Sequence, residues 1–150
     1  MTAVLVCAQS QGATLQVHQL DDIDFGSVSL GTQRLAQRMR FCVSMTPAGP
    51  YQIIAYGTQA NGEYALVDLD NVASPIRFEV FVSRGANRRR GRPLQPGIAL
   101  RNLHAQQPRP NGDCRRFSQL TMQVQVNRQD LASAAVGKYR GELQITVSPE

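Results

Sequence analysis

A chain of 150 residues fits one domain and has enough material for a sizeable core. Its composition, 42% hydrophobic and 18% charged, excludes a disordered chain, and no apolar run is long enough to span a membrane. The net charge of +5 is unevenly spread, because arginines concentrate between residues 84 and 92.

The chain begins with a short apolar run, Ala3–Ala8, which small and polar residues follow as far as Ala13. This pattern is typical of the tail of a secretory signal peptide. It predicts that residues 1–13 are a signal-peptide remnant and that one domain spans residues 14–150. The alternative interpretation is an ordinary first strand.

Seven later segments are apolar runs or alternate apolar and polar side chains with the period of two that half-buried strands show. Turn sequences rich in Gly, Pro and Asn separate them. The one helical pattern, 128–135, indicates a single turn, and 85–97 is expected to be a polar loop. Strands at this spacing predict an all-β, immunoglobulin-like antiparallel sandwich. The segments are Leu15–His18, Ile23–Phe25, Met39–Val43, Tyr51–Tyr56, Ile76–Val82, Leu120–Val126 and Leu143–Val147.

Residues that carry catalysis or bind metals are sparse. The two histidines, His18 and His104, lack the spacing of metal ligands. The carboxylates of Asp21, Asp22 and Asp24 indicate either a weak cation site or a turn. There is no nucleophile elbow, phosphate loop or dinucleotide fingerprint. We therefore expect no enzymatic activity and no cofactor.

A basic segment is formed by Arg88, Arg89, Arg90 and Arg92. It has the charge to bind phosphates, acidic glycans or an anionic surface. No aromatic residue is interleaved with it, so nucleic acid is not an expected partner. The alternative interpretation is a solvated loop tip.

Two cysteines, Cys42 and Cys114, remain if residues 1–13 are removed. An even number is typical of an exported chain, where disulfides persist. A bridge between them would close a loop of roughly 70 residues and contribute about 4 kcal/mol of stability in the chain-entropy model. The alternative is two buried free thiols in a cytosolic protein.

The final strand places Leu143, Ile145 and Val147 on one side, which we expect to face the core. Only residues 148–150 follow it. This predicts an incomplete sandwich, with an open strand edge and an apolar groove that invite strand addition from another chain. In the alternative, the chain's own segment around residues 3–8 lies beside residues 141–147. The fold would then be self-complemented, and the chain would be a self-contained module.

Taken together, these segments resemble the pilin domains of chaperone–usher fimbriae, especially the alternate type whose tip subunits resemble colonisation-factor adhesins. They are also similar to spore-coat-protein-U-like domains. The resemblance spans roughly residues 22–150. It is carried by Asp24–Val28, Phe41–Val43, Pro75–Val80, Cys114, Asp130–Ala134 and the ending Gly137–Glu150.

The resemblance implies a sandwich without its final strand, which a periplasmic chaperone and later another pilus subunit complete. It also implies an outer-membrane usher as partner, the carboxylate of Glu150 as the chaperone anchor, and Cys42–Cys114 as the structural disulfide. The chain would pass through the periplasm and become a tip or minor subunit of an extracellular fimbria. The alternative function is a self-contained secreted module whose arginine segment holds acidic glycans or surfaces.

Overall fold

The computed structural model describes residues 1–7, 12–28, 34–85 and 91–150. Within these ranges the chain forms twelve strands, one 3-10 helix at Arg116–Ser118 and one α-helix, α1, at Arg128–Ala132. Neither helix has the length and apolar character needed to cross a membrane. The strands are β1 Thr2–Cys7, β2 Thr14–His18, β3 Leu35–Thr46, β4 Gly49–Gly57, β5 Ala65–Asp68, β6 Ile76–Arg77, β7 Glu79–Arg84, β8 Arg92–Pro93, β9 Leu100–Ala105, β10 Gln119–Val126, β11 Tyr139–Arg140 and β12 Glu142–Pro149.

Two main sheets enclose one hydrophobic core. The first sheet has the order β1-β12-β4-β9, the second β2-β3-β10-β7-β8, and a small third sheet has the order β11-β5-β6. All pairings between these strands are antiparallel except that of β1 with β12, which is parallel. The prediction of an all-β, immunoglobulin-like sandwich is confirmed.

The alternating sequences decide which side chains enter the core. In β4, Tyr51, Ile53 and Ala55 are buried, and the residues between them are not. The second sheet contributes Phe41 of β3 and Met122 of β10 from the opposite side. Removing such side chains from water contributes about 25 cal/mol per Å² of apolar surface, which is the main force holding the sheets together.

The sequence patterns differ from the structure at several segments. Residues 23–25 are not a strand, although Ile23 is buried and exchanges two backbone hydrogen bonds with Met1. The predicted strand 76–82 is interrupted at Phe78, whose N–H donates to the carbonyl of Tyr64 at 3.2 Å. The missed β9 contains a register shift, which moves its apolar residues off the period of two.

The predicted polar loop 85–97 contains the short strand β8, which pairs with β7. β8 can approach β7 this closely because residue 91 is a glycine. A Cβ on Gly91 would lie 2.6 Å from the carbonyl of Val82. Leu94 follows β8 and is only 2% exposed. The structural prediction for 85–97 was therefore wrong at its second half, while residues 86–90 lie outside the described residues.

A disulfide bond joins Cys42 of β3 to Cys114, as predicted. The two Cα atoms are 6.2 Å apart, within the usual range for disulfides, and 72 positions separate them in the sequence. The bond anchors the connection between β9 and β10 to the middle of the second sheet.

We expect the double substitution Cys42→Ala and Cys114→Ala to lower the free energy of unfolding by about 4 kcal/mol, because the unfolded chain regains the entropy of a long loop. Urea denaturation measures this difference. The matched control is Cys7→Ser, which leaves the bridge in place and should retain most of the stability. Two alkylatable thiols at positions 42 and 114 in folded protein would contradict the prediction.

Candidate strand-addition site

The candidate site is the edge of β12, which the sequence predicted to be open. Leu143, Ile145 and Val147 point into the core and are 0, 1 and 0% exposed. On one side β12 pairs with β4, where Ile145 lies opposite Ala55. The burial of these three residues agrees with the prediction that they face the core. The strand on the other side of β12 decides whether its edge is open.

That partner is the chain's own β1. It runs parallel to β12, from Thr2 opposite Glu142 to Cys7 opposite Val147. The Thr2 N–H donates to the carbonyl of Gly141 at 3.1 Å, which fixes the start of the pairing. The predicted open edge is therefore wrong for this structure, which instead matches the self-complemented alternative. The apolar run at residues 3–8 is thus compatible with both a signal remnant and a strand.

β1 covers the core only in part. Ala3 and Leu5 pack against the core and remain partly exposed. Val4 and Val6 point outward, with 46% and 43% of their surfaces exposed. Because parallel pairing is slightly weaker per residue and Ala3 supplies only a methyl group, β1 is a modest occupant of this edge.

Glu150 lies where the first sheet ends. Its backbone N–H donates to the carbonyl of Pro50 at 3.1 Å. Its side-chain Oε1 accepts a hydrogen bond from the Asn102 N–H at 2.7 Å. These contacts hold Glu150 to β4 and β9, and its role as a chaperone anchor stays a prediction.

The predicted arginine segment is only partly visible. Arg88, Arg89 and Arg90 lie outside the described residues. Arg92 belongs to β8, is exposed, and donates from Nη1 to the carbonyl of Arg101 at 3.0 Å. The fold thereby places Arg92 beside an arginine that the sequence pattern did not single out.

The nearest approach to a catalytic arrangement is a hydrogen bond between His18 Nε2 and Ser44 Oγ, at 3.3 Å. Ser44 is buried, with 1% of its surface exposed. Among the described residues no carboxylate lies within ion-pair distance of His18. A serine nucleophile needs access to substrate and a base oriented by a third group, so this pair has the features of a cross-strand contact.

The aspartates near residue 24 line a shallow cleft of about 530 Å³. Asp24 Oδ1 accepts a hydrogen bond from the Gly26 N–H at 2.8 Å, which is a turn. Arg38 and Arg40 line the same cleft and oppose the acidic charge. Across the described ranges, no three metal-ligating side chains come together. These contacts favour the turn over the cation site.

Two solved structures are similar to this chain. A chain of a chaperone–tip adhesin complex, described as vital for synergistic activation of CFA/I fimbriae biogenesis, is similar over 91% of this chain, with 13% identity and a TM-score of 0.64. CfaE, the adhesive subunit of CFA/I fimbria of enterotoxigenic Escherichia coli, aligns with 99% of this chain at 10% identity and a TM-score of 0.44.

The chain spans less than half the length of either solved chain, namely 42% and 46%. No protein-family model matches the sequence, and no curated protein matches it. The first similarity confirms the pilin-like resemblance at the level of the fold.

We expect Ile145→Ala to destabilise the protein by about 3 kcal/mol, because it removes core contacts and leaves a cavity. The matched control is Gln144→Ala, on the same strand and exposed on the opposite face, with an expected effect of about 0.5 kcal/mol or less. Chemical denaturation measures both. Equal losses for the two variants would contradict the assigned faces of β12.

Proposed function

We propose that this chain is a structural subunit of an extracellular fimbria that accepts a strand from another chain along β12. The observation that carries the proposal is that β12 places three side chains in the core while one of its edges is covered only by β1, whose Ala3 and Leu5 are partly exposed. The edge already takes a strand that reaches it from the far end of the sequence. The fold shared with a chain of a chaperone–tip adhesin complex supports the same function.

Residues 1–13, the predicted signal remnant, determine whether the edge of β12 is open. Those residues contain all of β1, so their loss on export exposes the backbone edge of β12 and the groove beside it. A donor strand can then occupy the place of β1. A leucine in the position of Ala3 would bury about three additional carbon atoms, each worth about 0.8 kcal/mol.

The partners of this function are a periplasmic chaperone, an outer-membrane usher and other pilus subunits. The disulfide between Cys42 and Cys114 supports passage through an oxidising compartment such as the periplasm. Glu150 is the residue that we propose a chaperone grips by its terminal carboxylate. A tip or minor position in the fimbria belongs to the same proposal.

We expect a protein of residues 14–150 to melt at a clearly lower temperature than the full chain, because β12 loses a neighbour. A peptide of alternating apolar residues, at about 100 times its dissociation constant, should restore about 2.7 kcal/mol. Thermal unfolding with and without peptide measures both effects.

Two controls accompany this experiment. A scrambled peptide should give no gain, and Ile145→Asp should abolish the gain because it places an unpaired charge in the groove. If residues 14–150 are as stable as the full chain and do not respond to the peptide, β12 is not a strand-accepting edge.

A second candidate function is a self-contained secreted binding module, and the occupied edge of β12 is the observation that favours it. The intact mass of exported protein separates the two. A mass beginning at residue 14 supports the fimbrial subunit, and a mass that retains β1, together with a monomer unaffected by donor peptide, supports the module.

For the module, we expect replacement of Arg88, Arg89, Arg90 and Arg92 by Ser to weaken retention on heparin and to leave the melting temperature nearly unchanged. The effect should be modest, since exposed charges are screened over about 8 Å at physiological salt. Unaltered retention on heparin would show that the arginine segment takes no part in binding.

A further inference from the structure

Two arginines of the second sheet are bonded to neighbouring carbonyls on the edge of the first sheet. Arg84, the last residue of β7, donates from Nη2 to the carbonyl of Asn102 at 3.2 Å. Arg92 of β8 donates from Nη1 to the carbonyl of Arg101 at 3.0 Å. The side chains therefore converge on one short stretch of β9, although they come from a different sheet.

The acceptor stretch is a bulge in β9. Pairing with β4 shifts register between Leu103 opposite Tyr51 and Leu100 opposite Ile53, so residues 101–102 have no regular partner. Asn102 has a φ of 60°, a left-handed conformation that asparagine tolerates better than most residues. The bulge frees both carbonyls for the arginines and leaves the side chain of Arg101 exposed.

Among the described residues, no carboxylate lies within ion-pair distance of these three guanidinium groups. In the described part of the chain, the ion pair is that of Arg77 with Glu63. The side chain of Glu150 reaches the bulge, where its Oε1 is bonded to the Asn102 N–H. Each guanidinium has five N–H donors, and Arg84 and Arg92 each have one such bond to the bulge.

The charge of Arg84 extends over the first sheet. Burial raises the pKa of Tyr51 in β4, and the positive charge of Arg84 opposes that rise. The basic face lies at the junction of both sheets, because Arg84 and Arg92 of the second sheet are bonded to carbonyls of β9 in the first.

We propose that Arg84, Arg92 and Arg101 form a binding face for the sulfate and carboxylate groups of an acidic polysaccharide. Planar guanidinium groups match such anions with paired N–H donors, and the bonds to the bulge preorganise two of the three. The inference does not depend on whether β1 is exchanged.

A polysaccharide is favoured over nucleic acid for two reasons. The stretches that carry the arginines, 84–85, 91–93 and 100–102, contain no aromatic residue on which a base could stack. The disulfide is typical of the exported environment, where cell-surface glycans are the abundant polyanions.

The test uses the full chain with residues 86–90 unchanged and heparin as the probe. We expect Arg84→Gln, Arg92→Gln and Arg101→Gln each to weaken binding about two- to fivefold, as exposed charge contacts do. The triple variant should lose about tenfold or more and show a shallower dependence on salt.

The matched control is Arg128→Gln, which makes the same charge change near the opposite end of β7. Its neighbour Asn127 is bonded to Glu79, the first residue of that strand. It should bind heparin as the native chain does. The variant with Arg84→Lys, Arg92→Lys and Arg101→Lys keeps the charge but loses the paired N–H donors, so its affinity for heparin should lie between those of the native chain and the triple glutamine variant.

Several results would overturn the proposal. If the folded triple variant binds heparin with native affinity, the three arginines have a structural role only. If Arg128→Gln loses as much affinity as the single variants at 84, 92 and 101, binding responds to net charge alone. Equal binding to desulfated heparin would contradict the recognition of sulfate groups. Equal binding to duplex DNA or to anionic lipid vesicles would replace the acidic polysaccharide by another ligand.

Discussion

The backbone edge of β12 is the constraint on which the rest of the structure depends. Every strand carries N–H and C=O groups on both sides, and buried groups of this kind require partners. β4 provides them along one side of β12 only. The side chains of Leu143, Ile145 and Val147 form the centre of the core, so the strand cannot move outward to water. A second strand beside β12 provides the missing backbone partners and covers the adjacent core, and in this structure that strand is β1.

β1 meets this requirement with little specificity of its own. Its backbone completes the ladder, while its partly buried Ala3 and Leu5 add limited apolar contact. Main-chain pairing supplies affinity and pockets for alternate side chains supply selectivity in strand addition. An occupant that satisfies the first condition and only part of the second is suited to replacement by a better-fitting strand. The limited fit of β1 thus makes a self-complemented structure compatible with a strand-accepting function.

Much of the fold followed from the sequence because regular alternation reports burial directly. β4, β10 and β12 lie where the pattern placed them, and so does the disulfide. The failures have physical causes. β9 lost its periodicity to the bulge at Asn102, and β8 is too short to show one. The pairing of residues 2–7 with 142–147 joins opposite ends of the sequence. Local alternation identifies strands but does not determine which distant strands pair.

The side chains of the site were predicted, while its neighbour was named only as the alternative to an open edge. Alternation alone identified the core face of β12, since it depends only on the period of the strand. The identity of the adjacent strand depends on competition between β1 and every other available strand. The basic face followed from the sequence only in part. Arg84 and Arg92 belong to the arginine-rich stretch 84–92, whereas Arg101 lies beside them only through the bulge of β9.

The order of the first sheet relates these two surfaces. β1 lies at one edge and β9 at the other, with β12 and β4 between them. A strand exchanged beside β12 therefore replaces the edge that is farther from the bulge and leaves the bonds of Arg84 and Arg92 to β9 in place. Because β4 and β9 stay paired through residues such as Tyr51 and Leu103, the basic face is built on the part of the sheet that exchange does not alter. A subunit completed by a foreign strand would thus present the same arginines to solvent. A chaperone that gripped Glu150 would instead lie next to the bulge, because Glu150 Oε1 is bonded to the Asn102 N–H.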